Sequence, residues 1–183
     1  MKKIILIIVL CISANVQSQF NYEYGVIHLR DGSKLKGWVK KINLKELKYK
    51  ETESAKVIKY NYKKVDKIVI NDVLYQFKIV KGNRKNYPRL LELMKSGKVS
   101  LYVLRVQPTH YTVGGIEYYL SRNDSHLVES IGQRTLAIGR KNVIKGLKNY
   151  FKDCPNLIKK IKNKEFGKKD VKKVVEYYNN NCD

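Results

Sequence analysis

The chain has 183 residues and a formal net charge of +22, from 38 Lys and Arg against 16 Asp and Glu. This length fits one domain with a sizeable core, and the charge favours anionic partners. Carboxylates are sparse and the sequence holds no HExxH, CxxC or Gly-x-Ser-x-Gly motif, so we predict no metal, no cofactor and no catalytic residues from motifs.

The start of the chain has the three parts of a secretory signal peptide. Two lysines precede an apolar run over residues 4–16, and a cleavage site with small residues follows. The run is shorter than the about 20 apolar residues that span a bilayer, so we predict a leader over residues 1–19 that is cleaved, with no transmembrane segment after it. Cys11 leaves with this leader. Cys154 and Cys182 then form an even pair in an exported chain, which predicts a disulfide.

Residues 25–39 predict a β-hairpin. The parity of the apolar residues favours a three-residue loop, which sets Ile27 opposite Leu35, over a two-residue loop at Asp31-Gly32. The three-residue loop also places Gly32 at the left-handed position that such loops require. It brings three polar side chains together on the outer face, namely His28, Lys34 and Lys36.

Residues 90–103 fit either a helix or a second hairpin. A loop at residues 95–97 pairs Leu93 with Val99 and separates apolar from polar side chains, so we favour the hairpin. Other strands are predicted over residues 46–50, 57–62, 65–70, 73–81, 116–122 and 126–129. Together they predict an antiparallel, partly rolled sheet of about eight or nine strands over residues 20–133.

The hydrophobic period changes after residue 134. Apolar residues recur at helical spacing in three segments, and Pro155 suits the first turn of the second helix. We predict three short helices over residues 134–183 that cap the β part, which gives an α+β fold. The disulfide would tie Cys154, at the start of the second helix, to Cys182, at the end of the third.

Aromatic side chains beside lysines suggest a surface that stacks on sugars or on single-stranded nucleic acid. The candidate ligand-binding residues are Trp38, Lys36, Lys40, Tyr60, Tyr62 and Lys64. A simpler interpretation is also open, because tyrosine is common on half-buried strand faces and lysines can merely be solvated. The chain has 31 Lys and 7 Arg, and this preference for lysine argues against a dedicated nucleic-acid site.

The histidines give a weaker signal. His28, His110 and His126 do not have the spacing of zinc ligands. His28 is expected on an outer strand face and His126 beside a turn. A periplasmic hydrolase whose site converges near His28 or His126 is therefore the alternative to a binding module, and a purely structural module is a third hypothesis.

Several local patterns occur together in the mature chain. They are Leu-Arg-Asp-Gly at residues 29–32, Lys-Ser-Gly-Lys-Val-Ser-Leu-Tyr at 95–102, Tyr-Phe-Lys-Asp-Cys-Pro at 150–155, and the late Cys182. In this order the chain resembles a set of uncharacterised exported proteins of Bacteroidota-type bacteria. The resemblance implies a place in the Gram-negative periplasm or on the outer surface, and it implies no activity.

Export, positive charge and the lack of catalytic motifs lead to one functional expectation. We predict a non-enzymatic protein of the cell envelope whose basic, tyrosine-bearing sheet face contacts an anionic polysaccharide or another envelope protein.

Overall fold

The computed structural model describes residues 22–41, 45–82, 84–108, 110, 114–134 and 142–182, so the predicted leader lies outside the described residues. Over these described residues the fold is α+β, with ten strands, slightly more than expected, followed by three helices. The first five strands are β1 (Glu23–Leu29), β2 (Lys34–Lys41), β3 (Glu46–Lys50), β4 (Ile58–Asn61) and β5 (Val65–Ile70). The next five are β6 (Val73–Val80), β7 (Tyr87–Lys95), β8 (Val99–Val106), β9 (Gly115–Arg122) and β10 (Leu127–Arg134). The helices are α1 (Val143–Tyr150), α2 (Pro155–Lys162) and α3 (Val171–Asn181).

One mixed sheet contains all ten strands, in the order β10-β9-β8-β7-β6-β5-β1-β2-β3-β4. Strand β10 also pairs with β6 in parallel, where Leu127 lies opposite Ile79 and Val128 lies opposite Val80. This pairing closes β6–β10 into a ring, which we call the ring half, and leaves β1–β5 as an open half. The partly rolled sheet is thus confirmed, and the parallel closure adds a pairing that strand alternation does not reveal.

The two halves of the sheet curve in opposite directions. Cross-strand partners lie on the same side of a sheet, and one row of partners runs from His28 through Lys67 and Gln76 to Leu91. His28 and Lys67 lie on the outer face of the open half, whereas Leu91 is fully buried inside the ring. One face of the sheet therefore changes from outer surface to interior along a single row.

Three apolar clusters fill the molecule. The first lies on the inner face of the open half and includes Ile27, Leu47 and Ile68. The second fills the ring with Val80, Leu91, Tyr102, Tyr119 and Val128. The third lies between the outside of β8–β10 and the three helices, so that the ring half has a core on both sides of its sheet.

The helices form the predicted cap. Helix α1 contacts β10 so closely that a Cβ on Gly146 would lie 1.9 Å from the carbonyl oxygen of Ile131, which only glycine allows. Pro155 is the first residue of α2, and Cys154 and Cys182 form the predicted disulfide. Within the described residues, no helix combines the length and the apolarity needed to cross a membrane.

The structure confirms the first hairpin and corrects the second. Ile27 lies opposite Leu35, as predicted. In the β7–β8 hairpin the predicted register is wrong, because Leu93 lies opposite Tyr102 rather than Val99. The reason lies in α3, since the backbone N–H of Val99 donates to Asn179 Oδ1 at 2.8 Å and the Val99 carbonyl accepts from Asn179 Nδ2 at 2.9 Å.

Candidate functional site

Lysines concentrate on the outer face of the open half. Strand residues alternate between the two faces, and the register between β1, β2, β3, β4 and β5 aligns the outward positions. We call this surface the basic face, and its lysines are Lys34, Lys36, Lys40, Lys48, Lys50, Lys59 and Lys67. Among the described strand positions that pair across this face, Glu46 is the one carboxylate.

The charges on the basic face are aligned directly across strands. Lys40 lies opposite Lys48, and Lys48 lies opposite Lys59, which places three lysines in one row over β2, β3 and β4. Neighbouring strands are about 4.8 Å apart, and like charges directly opposite each other are destabilising. An anion placed along the row would relieve this repulsion.

Aromatic rings lie among these lysines. Trp38 is opposite both Tyr24 and Lys50, and the Tyr24 and Trp38 rings pack edge to face with centroids 5.8 Å apart. Tyr24 is 56% exposed. The ammonium groups of Lys40 and Lys50 lie 5.7 and 5.2 Å from the centroid of the Tyr22 ring. Such rings offer a flat surface to a sugar, and the adjacent lysines offer charge.

His28 lies at the far end of the basic face, opposite Lys34 and Lys67. Burial, together with the positive charges of Lys67 and Lys34, lowers the pKa of His28, although Asp66 opposes the shift. His28 is therefore neutral at neutral pH and adds no charge to the face. His126 is exposed in the turn before β10, and its carbonyl accepts from the Ile79 amide at 2.8 Å. A hydrolytic site near either histidine stays a prediction.

The structure brings together half of the predicted ligand-binding residues. Lys36, Trp38 and Lys40 alternate along β2 and share the basic face. Lys64 is separate from them, in the exposed turn between β4 and β5, where its carbonyl accepts from the Arg30 amide at 2.9 Å.

Tyr60 and Tyr62 lie on the opposite side of the sheet. Tyr60 pairs with Leu47, which is fully buried, so the register turns both tyrosines towards the core of the open half. The Tyr60 ring lies 6.1 Å from that of Tyr49, and the Tyr62 ring lies 6.3 Å from that of Phe77. For these two residues the simpler interpretation, a half-buried tyrosine that packs on the core, agrees with the contacts.

Sequence reasoning missed several members of the basic face, namely Tyr22, Tyr24, Lys48, Lys50 and Lys67. The register of β2 on β3 would have found Lys48 and Lys50, because it sets Lys40 opposite Lys48 and Trp38 opposite Lys50. The segment between these strands has no turn motif comparable to Asp31-Gly32, so the register could not be read from the sequence.

Compared with models of protein families, with curated proteins and with solved structures, the chain gave no match. The basic face is therefore the feature of this chain from which a function can be inferred. The seven lysines can form ion pairs with an extended anionic polymer, and the edge-to-face pair of Tyr24 and Trp38 can pack against its sugar rings.

Proposed function

We propose that this protein is an exported, non-enzymatic binding module of the cell envelope whose basic face contacts an anionic polysaccharide. The observation that carries the proposal is the alignment of lysines with Tyr24 and Trp38 on one face of five strands. The signal-peptide pattern and the Cys154–Cys182 disulfide support export, because disulfides persist in oxidising compartments.

The residue types on this face favour a polymer over a compact ligand. A linear polyanion carries charges at short intervals, so successive groups can pair with successive lysines of the Lys40–Lys48–Lys59 row. Lysine is a strongly hydrated point charge, and exposed ion pairs are weak one at a time. Affinity would then come from many weak pairs and would fall steeply with salt.

Trp38 provides a direct probe, because it is the one tryptophan of the chain. We expect a size-defined heparin oligosaccharide, titrated at low ionic strength, to change the Trp38 emission saturably. The change should disappear in 1 M NaCl, where the Debye length is about 3 Å. No saturable change at low salt, together with no salt-sensitive retention on heparin or anionic glycan resins, would refute the proposal.

Two variants with the same net charge show whether binding depends on the basic face or on net charge alone. The face triple variant carries Lys36→Gln, Lys48→Gln and Lys59→Gln. The helix triple variant carries Lys168→Gln, Lys169→Gln and Lys172→Gln, which replace three exposed lysines near or on α3. We expect the face triple variant to bind at least tenfold more weakly and to elute from heparin at lower salt, while the helix triple variant stays close to the unmodified protein. Equal losses in the two variants would show that net charge, and not this face, drives binding.

A further inference from the structure

A cavity of about 630 Å³ opens at one end of the ring half, on strands that do not carry the basic face. The ends of β6 and β10 and the starts of β7 and β9 surround it, and we call it the ring mouth. Its size is in the range of sites that hold small organic molecules. The ends of small β-barrels are common places for such sites.

Glu117 lies in the wall of the ring mouth with both carboxylate oxygens already engaged. The Tyr119 hydroxyl donates to Glu117 Oε2, and Gln133 Nε2 donates to Glu117 Oε1. Burial and the hydrogen bond to Glu117 raise the pKa of Tyr119, so this hydroxyl remains a donor at neutral pH. Two neutral donors therefore hydrogen-bond the carboxylate, and the Arg89 guanidinium forms an ion pair with it at 3.7 Å.

Arg89, in the same wall, has one donor without a hydrogen-bond partner among the described residues. Its Nη1 lies 3.7 Å from Glu117 Oε2, which is too long for a hydrogen bond, and its buried Nε has no hydrogen-bond partner among the described residues. The guanidinium lies 5.4 Å from the centroid of the Tyr87 ring. Buried polar groups are nearly always hydrogen-bonded, so an unpaired Nε beside a cavity indicates a place for an acceptor.

We propose that the ring mouth binds a small organic monocarboxylate of the size and polarity of a sugar acid, with Arg89 donating to its carboxylate. An acceptor fits better than a donor, because both Glu117 oxygens already accept hydrogen bonds whereas Arg89 Nε has no partner among the described residues. A carboxylate matches the planar fork of one guanidinium. Two lysines lie near Arg89, and both are engaged: Lys81 is paired with Glu129 at 3.3 Å, and Lys78, opposite Arg89 in the sheet, donates to the Ser125 carbonyl. Little charge is therefore left for a phosphate dianion.

The remaining volume and lining set the size of the ligand. The cavity is much larger than a carboxylate group, and Ser130 and Gln133 line it together with Tyr87. Polar groups of this kind pair with hydroxyls, and the tyrosine ring can pack against a sugar ring. The inference is independent of the proposed function, because the site lies in the other half of the sheet.

Calorimetric titration of the full chain with glucuronate, glucose and inorganic phosphate tests the proposal. We expect saturable binding of glucuronate, and at least tenfold weaker binding of glucose, which has the same ring without the carboxylate. Absence of saturable glucuronate binding would overturn the proposal. Phosphate that binds as tightly as glucuronate would overturn the assignment to a sugar acid.

Matched variants assign the binding to the ring mouth. Arg89→Gln should weaken glucuronate binding at least tenfold, whereas Arg105→Gln, the same change at an arginine that pairs with Glu92 outside the ring, should leave it unchanged. Arg89→Lys keeps the charge and provides a second, milder variant if Arg89→Gln does not fold, and it should bind severalfold more weakly because lysine lacks the fork. The face triple variant should bind glucuronate normally. Equal affinities in Arg89→Gln and Arg105→Gln, or a loss in the face triple variant, would contradict the site.

Discussion

The open half and the ring half use the same face of one sheet in opposite ways. In the open half this face carries Lys48 and Trp38 and meets solvent, whereas in the ring half it turns inward and carries Leu91 and Tyr102. Reversal of the curvature between β5 and β6 makes the difference. The comparison teaches that curvature, together with residue alternation, decides which face of a strand is buried.

The two halves also differ in how they are covered. The ring half is filled from within, and the three helices pack on its outside, so its sheet has apolar contacts on both faces. The open half has one core, on its inner face. Its outer face is free to carry charge without any cost of burial, which is why a polyanion-binding surface fits there.

Removal of the disulfide should have the largest effect on stability, and the ring half should be the part that is destabilised. The bond closes a loop of 28 residues between the start of α2 and the end of α3, so its loss should lower the free energy of unfolding by about 3–4 kcal/mol, as measured by urea denaturation of a Cys154→Ala/Cys182→Ala variant.

Amide hydrogen exchange locates this loss. We expect the amides of α1–α3 to lose protection first, while those of β1–β5 keep theirs. Reduction of the unmodified protein with dithiothreitol is the control and should reproduce the variant. A uniform loss of protection over both halves would show that the cap and the open half unfold as one unit.

The second largest effect on stability is expected from Lys78, which lies inside the ring. Lys78 is 3% exposed, its ammonium donates to the Ser125 carbonyl at 3.1 Å, and it lies 4.8 Å from the centroid of the Tyr102 ring. Burial lowers the pKa of Lys78. The unfolded chain therefore binds the proton more readily, and stability gains from this group as the pH rises from the folded pKa towards the unfolded value of about 10.4.

Lys78→Met should accordingly stabilise the protein by about 1 kcal/mol at pH 7, because the Ser125 carbonyl keeps a bond from the Ser121 hydroxyl at 2.8 Å. The advantage over the unmodified protein should shrink as the pH approaches about 10. Urea denaturation at several pH values measures both, with Lys145→Met, at an exposed position of α1, as the control that changes little. A variant less stable at pH 7 would mean that the bond to Ser125 outweighs the cost of burying the charge.

Local turn chemistry explains how much of the fold the sequence could predict. Gly32 has a φ of 89°, as the three-residue loop requires, and Asn71 and Asp72 both have positive φ in the tight turn between β5 and β6. The helices followed from apolar spacing and from Pro155. The β7–β8 register and the β10–β6 closure could not be predicted, because they depend on contacts between segments distant in sequence.

The candidate site shows the same limit. Lys36, Trp38 and Lys40 could be placed together, because one strand fixes their alternation. Tyr60 could not be assigned to a face from its neighbours, because its orientation follows from pairing with Leu47 on another strand. The unpaired Nε of Arg89 could likewise not be predicted, because it depends on how three strands of the ring meet.

The smallest expected effect is on stability, and it tests whether repulsion among the lysines of the basic face destabilises the folded protein. Lys48 lies between Lys40 and Lys59, so Lys48→Glu replaces two like-charge contacts with two attractive ones and should stabilise the open half by about 0.5 kcal/mol at low salt. The gain should vanish in 1 M NaCl. Lys63→Glu, with the same charge change in an exposed turn outside the row, should give a smaller gain.

The change in stability of Lys48→Glu has to be compared with its change in heparin-oligosaccharide binding. If the variant is more stable and also loses heparin-oligosaccharide binding, the lysine row opposes folding and is explained by an anion that it contacts, as expected for a functional surface. If Lys48→Glu gains nothing over Lys63→Glu, the three ammonium groups avoid one another in the folded protein. The row would then be an ordinary solvated surface, and the difference between the two halves would reduce to curvature and packing alone.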